Sequence, residues 1–132
     1  MLMSASVCLA LNVYFEARSE NIDGQLAVAE VTLNRVADKS FPNNVCDVVW
    51  DKGQFSWTND GKSDRPREAQ AWATAKAIAE QTLKQQENEL LQDDVLFYHA
   101  TYCNPYWSKD FYLTGRIGSH LFYSRSKPLG NS

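Results

Sequence analysis

Little in this 132-residue chain invites metal or thiol chemistry. It has two histidines, His99 and His120, and no HExxH pair, so a zinc-dependent hydrolase has no ligand set to build on. Its three cysteines, Cys8, Cys46 and Cys103, are odd in number and none stands in a CxxC pair. That argues against a disulfide framework or a zinc knuckle. It leaves small buried hydrophobes as their expected role, with one bridge between two of them still open. Basic residues are not in excess: 13 Lys and Arg stand against 16 Asp and Glu, a net charge of −3, which gives no footprint for nucleic acid. Long apolar runs are missing too. The opening MLMSASVCLALNVYFEARSE has no basic leader and is interrupted at Asn12 and Glu16, so neither an export signal nor a membrane anchor is expected. There are no internal repeats, low-complexity tracts or Pro/Gly-rich linkers, and the length suits one domain over 1–132, expected to act as a monomer.

What is present is globular: 44% hydrophobic and 12% aromatic, with four Trp and six Tyr. The stripe Val7, Leu11, Tyr14 and Phe15 predicts a helix over about 4–19, with Ser4 or Ser6 as its N-cap. Leu26, Ala29, Leu33 and Val36, flanked by Val28 and Val31, give a wide apolar arc over about 23–37, the pattern of a central buried helix. From Asp38 to Arg65 the helical period fails, and Pro42, Asn43, Asn44, Gly53, Asn59, Asp60 and Gly61 mark turns around NVCDVVW and QFSW. A third helix is expected over about 66–86, capped by Asp64, with Trp72, Ala75, Ala79 and Leu83 on its apolar face. The acidic run QQENELLQDD reads as a solvated turn. VLFYHA at 95–100 and HLFYS at 120–124 have strand composition, separated by a surface loop with a short helical piece. The fold class is therefore α+β, mostly α, with a small β element.

One carboxylate is unusually sited. Glu16 lies in NVYFEARSE, at the end of a helix and beside aromatic rings, where partial burial would raise its pKa toward the range a general acid needs. If the helix continues, Glu20 is its neighbour four residues on, and like charge pushes the same way, while Arg18 points away from both. Spacing alone does not separate this reading from an ordinary ion-paired residue at a helix end.

A wider pattern does. YFEARSE and GQLAVAEVTLNRV within 14–36, FPNNVCDVVW at 41–50, QFSWTNDGKSDRP at 54–66, FYHATYCNPYW at 97–107 and IGSHLFYSR at 117–125 resemble, in order, the SleB/CwlJ-type cell-wall hydrolases. That family is typified by spore cortex-lytic enzymes and is also found in phage endolysins. The resemblance covers roughly 5–125. It implies a lysozyme-like, lytic-transglycosylase-like fold acting on peptidoglycan glycan strands, with neither metal nor cofactor, and it makes Glu16 of the EAR motif the essential acid. One carboxyl group suffices if the muramic C6 hydroxyl closes onto C1 to leave a 1,6-anhydro end. A hydrolytic muramidase would need water and usually a second carboxylate, for which Glu20 and Asp60 are the candidates.

In the same frame Gln54 and Ser56 of QFSW are expected to hydrogen-bond the sugar, and Tyr98 and Tyr123 to lean toward the cleft, with Phe55 and Trp57 in the core or beside it. His99 and His120 are expected to serve structural cross-strand roles. The chain departs from the family pattern at Gly53 and Asn59, where cysteines flanking QFS are common, which removes one loop bridge. Two rivals stay open: a Cys/His peptidoglycan endopeptidase using Cys8 with one of the histidines, and a non-catalytic peptidoglycan-binding module. The expected place of action is the cell wall. A chain without an export signal fits a phage endolysin made in the host cytoplasm, or a catalytic domain cut from a longer enzyme.

Overall fold

The structure, a computed structural model, describes residues 3–127. Four α-helices come first: α1 (Ala5–Ala17), α2 (Ile22–Ala37), α3 (Val45–Trp50) and α4 (Ala69–Lys84). Three strands follow, β1 (Val95–Ala100), β2 (Tyr112–Ile117) and β3 (His120–Ser124), forming an antiparallel sheet in the order β1-β3-β2. Short 3-10 turns occupy Ser56–Asn59 and Tyr106–Asp110.

Helix α1 starts where Ser4 accepts a hydrogen bond from Val7 N, and it is buried on nearly every side: Cys8 through Tyr14 and Ala17 are all interior. The other three helices pack around it, and α2 also backs onto β1. The sheet is closed against α2 by Ala27, Val31, Val95 and Phe122.

Four sequence expectations need correction. The third helix begins at Ala69, not near Pro66, and Asp64 does not cap it. The Tyr14 hydroxyl accepts from Arg67 N and Glu68 N at 3.1 and 3.0 Å, fixing the chain where it enters the helix. Its buried face is Ala75, Ile78, Ala79 and Thr82, which leaves Leu83 exposed. NVCDVVW is a helix, capped by Asn44. The loop between the two expected strands holds a third, β2, whose exposed residues and Gly115 give it no apolar alternation to read. The first helix stops at Ala17, so Glu20 does not stack below Glu16.

The cysteines are the other correction. Cys8 is buried as expected but is bonded to Cys46, tying α1 to α3, while Cys103 is free and exposed. Linking positions 38 residues apart stabilises the fold by about 4 kcal/mol if the gain comes from the unfolded chain. A C8A/C46A variant should therefore melt on the order of 10 °C lower, and wild type should fall toward the same value under strong reductant, as differential scanning calorimetry would show.

Candidate active site

The site is assembled from the last turns of α1 and α2, the QFSW loop and β1. Asn12 starts the assembly. Fully buried on α1, it accepts from Trp57 Nε1 at 2.8 Å and donates to Thr32 Oγ1 at 3.4 Å, pinning the loop to both central helices. Trp57 then stacks on Phe15 at 4.8 Å. Along this loop burial alternates: Phe55 and Trp57 are interior, and Gln54 and Ser56 face solvent.

Glu16 follows Phe15 and is partly buried. Loss of hydration pushes its carboxyl pKa up; the Tyr98 hydroxyl, which donates to Oε1, and the positive charge of Arg35 work in the opposite direction. The net shift is upward, so the proton is held to higher pH than on an exposed carboxyl. Burial and the carboxylate push the Tyr98 phenol well above its ordinary value, so Tyr98 stays a donor at any working pH.

Arg35 was not foreseen, although a charged side chain within the wide apolar arc of α2 was a signal to look. It is buried, its Nε donates to Leu96 O at 2.8 Å, and its guanidinium lies 5.0–5.7 Å from the ring centres of Phe41, Phe55 and Phe97. Its Nη1 reaches Gln54 Oε1 at 3.4 Å.

A cleft of about 480 Å³ opens here, a size ordinary for a ligand site. Its floor and walls include Arg35, Gln54, Phe97, Tyr98, His99 and Trp107. Glu16 is not itself among the lining residues; Tyr98 links the two, since it lines the cleft and its hydroxyl donates to the Glu16 carboxylate. Of the four residues expected to touch sugar, Gln54 and Tyr98 are on the wall. Ser56 is exposed but not part of it. Tyr123 is withdrawn behind it: the ring is buried, stacks on His99 at 5.2 Å, and its hydroxyl donates to His99 Nε2 at 2.8 Å. That direction follows because His99 Nδ1 faces the Ala100 carbonyl at 2.8 Å and must carry the ring proton of the neutral imidazole. The pair braces Trp107, whose ring lies 5.6 Å from each.

Of the two candidate second carboxylates, Glu20 is engaged elsewhere. Glu20 accepts from Ser119 N at 2.8 Å and from Ser119 Oγ, and His120 Nδ1 is 3.9 Å away. Burial would raise the Glu20 pKa, but the two Ser119 hydrogen bonds and His120 hold it lower. Gly118, at φ +58°, makes this possible, since a Cβ there would run into the Glu20 carboxylate. Glu20 thus fastens the β2–β3 turn to the end of α1. Asp60 is exposed, and its Oδ1 caps Lys62 N at 2.9 Å. Cys8, bonded to Cys46, offers no thiolate, which removes the nucleophile of the endopeptidase alternative. Among the described residues no group of three or more His, Cys, Asp or Glu side chains is placed to hold a metal ion.

The sequence matches the Cell Wall Hydrolase family over residues 19–123. It is 46% identical over 54 residues to a spore cortex-lytic enzyme of Bacillus cereus, covering 41% of this chain and 21% of that protein. To the spore cortex-lytic enzyme of Bacillus subtilis it is 44% identical over 54 residues, 41% of this chain and 18% of that one. The chain thus spans about a fifth of the length of these curated relatives. The fold superposes with TM-score 0.76 on the catalytic domain of the germination-specific lytic transglycosylase SleB from Bacillus anthracis, at 29% identity over 93% of this chain and 97% of the other. The catalytic domain of Bacillus cereus SleB gives 0.71 at 28% identity, covering 94% and 93%.

Proposed function

The chain belongs to the cell wall hydrolase family, and from that premise we propose that it cuts peptidoglycan glycan strands at the β-1,4 bond between N-acetylmuramic acid and N-acetylglucosamine, as a lytic transglycosylase. What carries this reading is Glu16, a partly buried carboxyl with a raised pKa and a phenol fixed on it beside an aromatic cleft, while Glu20 is held by Ser119.

Protonated Glu16 gives its proton to the glycosidic oxygen as the bond from that oxygen to muramic C1 breaks. Positive charge develops on the sugar ring, and negative charge appears on Glu16. The Tyr98 hydrogen bond and the Arg35 charge stabilise the carboxylate at that moment. Glu16, now a base, takes the proton from the C6 hydroxyl while O6 bonds to C1. The acid is regenerated and a 1,6-anhydro end remains. Gln54 and the aromatic wall position the strand. The chain acts as a monomer on the cell wall, where an oxidising setting keeps the Cys8–Cys46 bridge closed. No described helix is long and apolar enough to cross a membrane.

Purified sacculi test the bond cleaved. Soluble disaccharide-peptides with stems attached support the reading, and free stem peptides beside an intact glycan contradict it. Tyr98 gives a finer test. Losing a hydrogen bond to a charged group costs about 1.5–3 kcal/mol, so Tyr98→Phe should slow turnover roughly 10- to 100-fold. Because that bond lowers the Glu16 pKa, its removal should also move the alkaline limb of the pH–rate profile to higher pH. A limb that stays fixed would mean that Tyr98 does not tune Glu16.

A further inference from the structure

One side of the cleft is closed by Cys103, Pro105 and Trp107, from the segment joining β1 to β2. The same segment carries Tyr102 and Tyr106, at 87% and 84% the most exposed large hydrophobic side chains among the described residues. Trp107 is packed by Phe97, His99, Phe111 and Tyr123. Tyr102 and Tyr106 belong to neither core cluster. Their backbone is nonetheless well held. Thr101 N donates to Ser119 O at 2.8 Å, Cys103 N to Ala100 O at 2.9 Å, and Ser108 to Pro105 O through both N and Oγ. Two rings therefore stand in solvent on a fixed base, continuous with the wall of the site.

We propose that Tyr102 and Tyr106 form an outer subsite that takes the uncharged sugar rings of the glycan strand, extending the cleft beyond the bond at Glu16; this rests on the glycan-cleaving reading above. A cleft of about 480 Å³ holds only a short piece of a polymer, so the rest of the strand must pass over the protein surface beside it. A pyranose offers one face of C–H groups and a rim of hydroxyls. A tyrosine matches both, with a flat apolar ring and a polar tip, at little cost in side-chain freedom. Charge selects among occupants. The only charged side chains between β1 and β2 are Lys109 and Asp110, of opposite sign, so the segment has no net charge with which to select an anionic wall polymer or the charged ends of stem peptides. A neutral polyol is the wall component it fits.

The test measures binding with turnover blocked. In a Glu16→Gln background, cosedimentation with purified sacculi should show the dissociation constant rising about tenfold for Y102A/Y106A and staying within about threefold for Y102F/Y106F, which keep the rings. In fluorescence titrations the loss should persist on soluble N-acetylglucosamine oligosaccharides, which carry neither stem nor charge, and it should shrink as they get shorter. Both side chains are exposed, so thermal melting of the Ala pair should match its parent and exclude misfolding. Unchanged affinity, or a loss seen only while stems are attached, would overturn the proposal. Product analysis with the wild-type chain separates the two readings. Tyrosine-dependent binding without glycan cleavage would keep the subsite and remove the transglycosylase, while cleavage with tyrosine-independent binding would do the reverse.

Discussion

Glu16→Gln should lower the rate of glycan release from sacculi by about a thousandfold or more, since one side chain is asked to serve as both acid and base. The same change should raise stability. Folding raises the Glu16 pKa because burial strips water from the carboxylate, and the Tyr98 hydrogen bond and Arg35 offset this only in part. The native state therefore favours the protonated form. Its contribution to stability is complete below the unfolded carboxyl value and is lost as pH rises through the raised native value. Glutamine has no charge to desolvate. At neutral pH the variant should melt a few degrees above wild type, with the gap closing as pH falls toward the ordinary carboxylate range. Scanning calorimetry at several pH values checks this. An inactive variant that melts lower at neutral pH would point to lost structure, and the activity result would then say nothing about acid catalysis.

Among single substitutions the largest loss of stability is expected at Glu30. Its side chain is fully buried on α2, and its carboxylate accepts from Glu89 N, Leu90 N and Leu91 N at 2.7–3.1 Å and from Gln85 Nε2 at 3.2 Å. Those donors belong to the run between α4 and β1, which Asn34 also grips through Gln92 O and Val95 O, both at 2.9 Å. Glu30→Ala leaves a cavity and strands three backbone N–H groups, at a cost of about 3–5 kcal/mol. Glu30→Gln keeps the volume but turns a donor toward one of those N–H groups, so it should recover only part of the loss. Urea unfolding measures both. A cost below about 1 kcal/mol for the alanine would mean that the loop does not depend on the carboxylate.

Glu30 also shows where sequence reading stops. QQENELLQDD looks like a solvated acidic turn, and most of its side chains are exposed. What matters is its backbone, folded around a carboxylate some 60 positions earlier in the chain. No local pattern records that. The elements that could be read were those whose burial has a period. The apolar arcs of α1 and α2 set those helices to within a few residues, and the aromatic, β-branched runs set β1 and β3, which pair as antiparallel neighbours. β2 escaped because an edge strand with exposed residues has no period to show. One bridge was left open by the sequence, but its pairing, Cys8 with Cys46, depends on α3 packing against α1, a fact of topology.

At the site the divide is similar. Glu16 stood out as a carboxylate in an aromatic stretch, but only the ordered motifs, which also pointed to Gln54 and Tyr98, made it the candidate acid. Arg35 was not, since its role comes from three phenyl rings and a carbonyl brought together from separate segments. Glu20 would neighbour Glu16 only if the helix continued past Arg18, and it does not. The chain turns there, and the side chain goes to Ser119 instead.

The most direct measurement is mass spectrometry of the soluble products released from purified sacculi in heavy-oxygen water. Transglycosylation through Glu16 predicts 1,6-anhydro-muramic ends that carry no solvent oxygen, because O6 of the same sugar closes the ring. Reducing muramic ends bearing the heavy label would contradict it, since the bond would then have been opened by water.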